Sequence, residues 1–153
     1  MGEVLRLRFL AGGQDSVLLF LRLLTGSFLV WEMWPNVSSP VTMELVVGYF
    51  ARNGFAYPEL FAPLSAWAQF LIGILLILGL LARLAGVLLA FNFIVGLIMV
   101  HMSDSFRDQW PAWALLGFGL LFATAGAGRY ALDHLLEGRT RDDRDKAEAA
   151  AAR

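Results

Sequence analysis

The chain has 153 residues, 58% of them hydrophobic and 16% charged, with a net charge of −1; its mean hydropathy is +0.63. Soluble domains run near half apolar and about a quarter charged, so this composition points to a membrane protein of one domain. The absence of cysteine excludes disulfides, thiolate metal sites and thiol catalysis by this chain, and its dispersed basic residues leave no footprint for nucleic acid.

Crossing a bilayer as a helix takes roughly 20 apolar residues, and four stretches qualify. Residues 1–15 form a short N-terminal segment, followed by the first predicted span, Ser16 to Trp34. This span lacks a clear small-x-small cleavage site before Trp31, and its apolar run is too long for a signal peptide, so it reads as a retained helix. Arg22 lies about 9 Å inside it. Its side chain either snorkels to the near surface or pairs with Asp133.

A long connection follows, from Pro35 to Ala62. Pro40 and Gly54 bracket a short helix within it. Val41, Leu45, Val46, Tyr49 and Phe50 fall on one stripe, so this helix is expected to lie in the membrane interface.

The second span runs from Pro63 to Leu81 and the third from Ala85 to Met102. Only Ala82, Arg83 and Leu84 join them, which makes the two antiparallel neighbours. Asn92 sits midway along the third span on the same face as Gly96 and reads as an interhelical hydrogen-bonding group. The fourth span runs from Ala112 to Gly128. Gly86, Ala90, Gly117, Gly119 and Ala123 permit close helix packing, within the chain or against a second copy or a partner subunit. The membrane domain is thus 16–136, an all-α bundle of four transmembrane helices with a short interfacial helix between the first two. The tail, 137–153, is charged and alanine-rich. Thr140 with Asp143 suggests a capped solvated helix, and a flexible tail is the alternative.

Orientation follows from lysine and arginine. Arg6, Arg8, Arg83, Arg129, Arg139, Arg141, Arg144, Lys146 and Arg153 fall on one side, against Arg52 and Arg107 on the other. Both termini are therefore expected in the cytoplasm. The five tryptophans, Trp31, Trp34, Trp67, Trp110 and Trp113, all fall near the outer ends of spans, as in an interfacial aromatic belt.

Ionisable groups within a membrane are costly and mark candidate sites. Glu32, Gln69, His101 and Asp104 all fall near the outer face, from three different spans. His101 and Asp104 share a helix face if the helix continues, and a histidine held by a carboxylate can move protons or bind a carbonyl. Trp31 and Trp67 are candidate aromatic linings for such a site. The other reading of this cluster is an interfacial set that satisfies helix ends. Asn92 lies nine residues from His101, about 180° around the helix and about 13 Å along it, so those two do not share a narrow site. No metal centre is expected, because Glu32, His101 and Asp104 form no recognisable ligand motif. Haem between His101 and His134 is disfavoured, since about one bilayer thickness separates them.

"NGFAYPELFAPLSAWAQFLIGILLILGLLARLAG" resembles the central signature of the DoxX family, with the Gly54–Pro58 turn, Gly73, and then Gly79 and Arg83. "GAGRYALDHLL" resembles that family's closing motif through Gly128, Arg129, Tyr130 and Asp133. The sequence departs from the family pattern at Gln69, where a glutamate is usual, and at "WEMWPNV", where a glycine and a lysine are usual. The resemblance implies a four-helix protein of bacterial inner membranes. Some members resemble the small membrane subunit of a thiosulfate:quinone oxidoreductase, and others are grouped with oxidative-stress complexes. A non-catalytic membrane subunit or anchor of a redox complex is the leading expectation, with quinone as the candidate cofactor and a partner protein or second copy alongside the lipid bilayer. A non-enzymatic receptor, an assembly factor or a small-solute transporter is the alternative. The sequence contains no dinucleotide fingerprint and no P-loop.

Overall fold

The computed structural model describes residues 13–100, 102 and 104–133. These form five helices and no strand: α1 (Gln14–Ser38), α2 (Pro40–Arg52), α3 (Pro58–Leu78), α4 (Ala82–Met99) and α5 (Phe106–Ala125). The tail, with Thr140 and Asp143, and the histidines 101 and 134 lie outside the described residues.

Three helices, α1, α3 and α4, are long and apolar enough to cross a membrane. At 1.5 Å per residue, the 21 residues of α3 span roughly 30 Å, the thickness of a hydrocarbon core. Their outward faces carry Phe20, Leu24, Leu71, Val87, Phe91 and Ile98, all exposed. Helices apolar on every face suit lipid rather than water, and these faces contact the bilayer. The expected fourth span corresponds to α5. It has 20 residues, but Arg107 and Asp108 stand in its first turn, and it is not among the helices apolar enough to cross.

Predicted and observed helices agree in order and differ at their bounds; the first was expected to stop at Trp34 and runs through Pro35 to Ser38. The second and fourth were expected to begin at Pro63 and Ala112, and begin instead at Pro58 and Phe106. Pro63 and Pro111 lie inside the helices, one turn and a half from their starts. A proline removes only one backbone bond, and the chain keeps helical geometry through both.

The turns use left-handed backbone where a reversal demands it. Gly54 has φ +77°, and Tyr57 has φ +54° immediately before Pro58. Gly79 (φ +67°) ends α3 and Leu81 (φ +50°) precedes α4. A non-glycine residue pays strain there, and both hold because helices anchor each side. Between α1 and α2 the break is a single extended residue, Ser39. Thr42 Oγ1 donates across it to the Pro35 and Ser39 carbonyls.

Two helix pairs dominate the packing, α1 with α3 and α4 with α5; α3 meets α4 less extensively. Each strong pair crosses on glycine. A Cβ on Gly26 would stand 2.6 Å from the Gly73 carbonyl oxygen, and one on Gly73 would stand 2.8 Å from that of Gly26. A Cβ on Gly86 would strike the Ala123 amide nitrogen, and one on Gly119 would stand 2.7 Å from that of Ala90. Membrane helices associate through such close approach, because lipid supplies no hydrophobic drive between them. Around these crossings lies a core of Leu29, Ile72, Leu76, Ala85, Leu89 and Phe122.

Candidate functional site

An apolar cavity of about 430 Å³ opens between α2, α3 and α4. Tyr49, Phe50, Phe55, Phe61 and Phe91 supply its aromatic wall, and Ser65, Gln69 and Asn92 its polar patch. Ser65 and Gln69 are four residues apart, so one face of α3 presents both. Gln69 Nε2 donates to Ser65 Oγ at 3.2 Å, and Asn92 Nδ2 on α4 donates to the same oxygen at 3.0 Å. The expected interhelical role of Asn92 is therefore met, with Ser65 as its partner. These two bonds use one proton of each amide, and all three residues line the cavity. Among the described residues that line it, none carries a formal charge. The patch can give or accept hydrogen bonds without placing an ion in hydrocarbon, where ions are costly.

The predicted outer-face residues divide. Gln69 is in the cavity. Glu32 is exposed on α1 and forms no hydrogen bond among the described residues. Asp104 stands exposed in the turn before α5, where its carbonyl accepts from Gln109 Nε2 at 3.0 Å. His101 lies outside the described residues. Trp31 and Trp67 line no part of the cavity and are exposed. Trp67 stands edge-on to Phe70, with ring centroids 5.9 Å apart. Ser65 was missed in the sequence, where a serine in an apolar helix is unremarkable. Its four-residue spacing from Gln69 was the signal that could have found it.

At the opposite end of the helices, the family-motif residues act on helix termini. Both oxygens of Asp133 accept from the backbone at the start of α4: Leu81 N at 2.8 Å and Ala82 N at 3.1 Å. The Asp133 amide in turn donates to the Gly79 carbonyl at 3.1 Å. Arg83 Nη1 donates to the Thr124 carbonyl in the last turn of α5 at 3.0 Å. The Arg129 amide donates to Asp15 Oδ1 at 3.1 Å, while its side chain and that of Tyr130 are exposed. These bonds satisfy orphan groups that every helix end leaves behind.

Of the two arrangements expected for Arg22, snorkelling is overturned, while the charge of Asp133 acts on it from nearby. It does not snorkel, being 1% exposed; Asp133 attracts it electrostatically while its oxygens accept from the start of α4. Its guanidinium donates to three carbonyls: Leu76 at 3.0 Å, Ala127, and Tyr130 at 3.2 Å. Two of these follow the end of α5 and one lies in the last turn of α3, where the helix dipole favours a cation. Gly79 makes room for this, since a Cβ there would lie 2.7 Å from Arg22 Cζ.

Comparison with curated proteins finds no match, and comparison with solved structures finds none. Two family profiles do match. One, described as TQO small subunit DoxD, covers residues 60–150. The other, DoxX, covers residues 17–102, from the helix that carries Arg22 through the whole cavity wall, and on that match over more than half its length the chain belongs to the DoxX family of membrane proteins.

Proposed function

We propose that the chain is a small membrane subunit of a quinone-linked oxidoreductase, and that the cavity between α2, α3 and α4 receives the quinone ring. One observation carries this reading: an uncharged hydrogen-bonding patch, Ser65–Gln69–Asn92, set in an aromatic-lined cavity inside a membrane protein. The volume of about 430 Å³ falls within the roughly 300–1,000 Å³ of small-molecule sites. Quinone carbonyls need donors and quinol hydroxyls need acceptors; primary amides and a hydroxyl supply both. The described lining residues carry no carboxylate, imidazole or amine; they bind and orient the ring through amides and a hydroxyl. The match to the TQO small subunit DoxD profile supports assembly with a partner protein that does the redox chemistry.

In this reading α5 is the fourth span and α2 lies in the outer interface of a bacterial inner membrane. Both termini are cytoplasmic, as the lysine and arginine distribution favours. Glu32, His101 and Asp104 are the candidate polar groups at the outer rim. With no native cysteine, single cysteines test the orientation: those at Ser39 and Ser105 react with an impermeant maleimide from outside, and one at Thr140 does not. The reverse pattern overturns it.

The functional test uses the purified full chain in nanodiscs, titrated with decylubiquinone. A Cβ on Gly96, which lines the cavity, would meet nothing within 4 Å, so Gly96→Leu starts a side chain there without a backbone clash at its first carbon and takes up cavity space. The unmodified chain binds, and Gly96→Leu binds at least tenfold more weakly with unchanged thermal stability. Equal binding by the two, or no binding by the first, overturns the assignment.

A further inference from the structure

The cavity is closed unevenly. α2 packs on α3 and to a lesser extent on α1, but barely touches α4. None of its residues is buried. The wall formed by α2 is therefore thin, and the seam between α2 and α4 is open. The residues along this seam face two ways at once. Leu88 and Phe91 of α4 line the cavity, yet they are 42% and 65% exposed; Tyr49 of α2 lines it and is 41% exposed.

Depth decides what that exposure meets. Phe91 stands eight residues from the end of α4 and Leu88 eleven, or about 12 Å and 16 Å along the axis. For a helix crossing a core of roughly 30 Å, those levels are hydrocarbon rather than headgroup or water. A hydrophilic or ionic ligand would have to cross that layer to reach the seam. A molecule already dissolved in the bilayer meets the seam directly.

We infer that the α2–α4 seam is a tail subsite: the ligand's hydrocarbon chain leaves the cavity across Leu88 and Phe91 and runs on into the bilayer, so the site loads from lipid. This rests on the quinone reading of the cavity and adds the path and the chain-binding surface to it. The ring sits against Ser65, Gln69 and Asn92, and the tail lies along the outward face of α4. The wall helix α2 is bounded by two backbone breaks, Ser39 (extended) and Gly54 (φ +77°).

Two photoreactive quinones separate the subsite from the site. One carries an azide on the ring, the other an azide at the far end of a decyl tail. Each is irradiated with the full-length protein in nanodiscs, with and without excess unlabelled decylubiquinone, and the adducts are mapped by mass spectrometry. The ring probe should mark the α3 segment around Ser65–Gln69 or the α4 segment around Phe91–Gly96. The tail probe should mark the outward faces of α2 and α4 severalfold more than α1 or α5, and competitor should remove that labelling. Ring adducts in the cavity with tail adducts on α1 or α5 would overturn the subsite and leave the cavity assignment standing. Ring adducts outside the cavity would overturn both.

Discussion

Where α1 begins and α5 finishes, helix ends find partners from distant parts of the chain. Asp133 caps α4, Arg83 caps α5, and Arg22 gathers carbonyls from α3 and from the segment after α5. Around the cavity, at the other end, Ser65, Gln69 and Asn92 bond to one another, and α2 leans on its neighbours without burying a residue. One end is fastened by charged side chains bonded to backbone groups at helix ends, two of those bonds being buried. The other is held by exchangeable hydrogen bonds that a ligand can join. Local stability follows the density of such contacts, so the two ends are expected to differ in how firmly they hold the fold.

The largest effect is expected from Gly86→Leu. Its side chain would be driven into the α5 backbone at Ala123 and Gly119, beyond the roughly 1–3 kcal/mol of ordinary overpacking. Size-exclusion chromatography in detergent should show no folded, monodisperse protein. Gly117→Leu, where a Cβ would meet nothing within 4 Å, should elute as the unmodified chain does. If both elute normally, the glycine crossing does not hold α4 to α5.

Arg22→Met comes next. It leaves the Leu76 and Ala127 carbonyls without their donor in a buried setting and that of Tyr130 in a part-buried one, at a cost on the order of 3 kcal/mol. Unfolding in detergent measures the loss, and an unchanged midpoint would remove the arginine from its fastening role. Asn92→Leu, at the cavity end, should cost only about 0.6 kcal/mol, typical of a membrane interhelical hydrogen bond, while weakening decylubiquinone binding at least tenfold. A large stability loss with intact binding would reverse the contrast between the ends.

The smallest effect is expected at Thr25. Its hydroxyl is buried with no partner among the described residues, and valine has the same shape. Replacing an unsatisfied polar atom with a methyl relieves a desolvation cost, so Thr25→Val should leave the unfolding midpoint unchanged or raise it. A clear fall would mean that the hydroxyl is bonded.

Helix order was legible because apolar runs report burial in lipid or protein directly, and the bracket formed by Pro40 and Gly54 located α2 closely. What hydropathy cannot report is the path of a long side chain. Arg22 looked able to reach the surface, because the carbonyls that capture it become neighbours only when α3 and the end of α5 come together. The cavity was partly legible. Gln69 and Asn92 stood out as polar residues in apolar runs, but they were assigned to different roles. His101 drew attention to the face opposite Asn92, whereas the described cavity lies on the Asn92 side. The motif residues Asp133 and Arg83 read as a family signature, and only their bonds to Leu81, Ala82 and Thr124 showed why those residue types serve there.

The three acceptors of Arg22 lie 54, 105 and 108 residues further along the chain. During synthesis, α1 therefore enters the membrane long before the groups that will receive its guanidinium exist. The Leu76 carbonyl arrives with α3, and the other two arrive only after α5 has formed. A ribosome product that stops before Ala127 keeps a membrane arginine without two of its acceptors, a state that costs several kcal/mol. That unmet charge distinguishes an unfinished chain from a finished one.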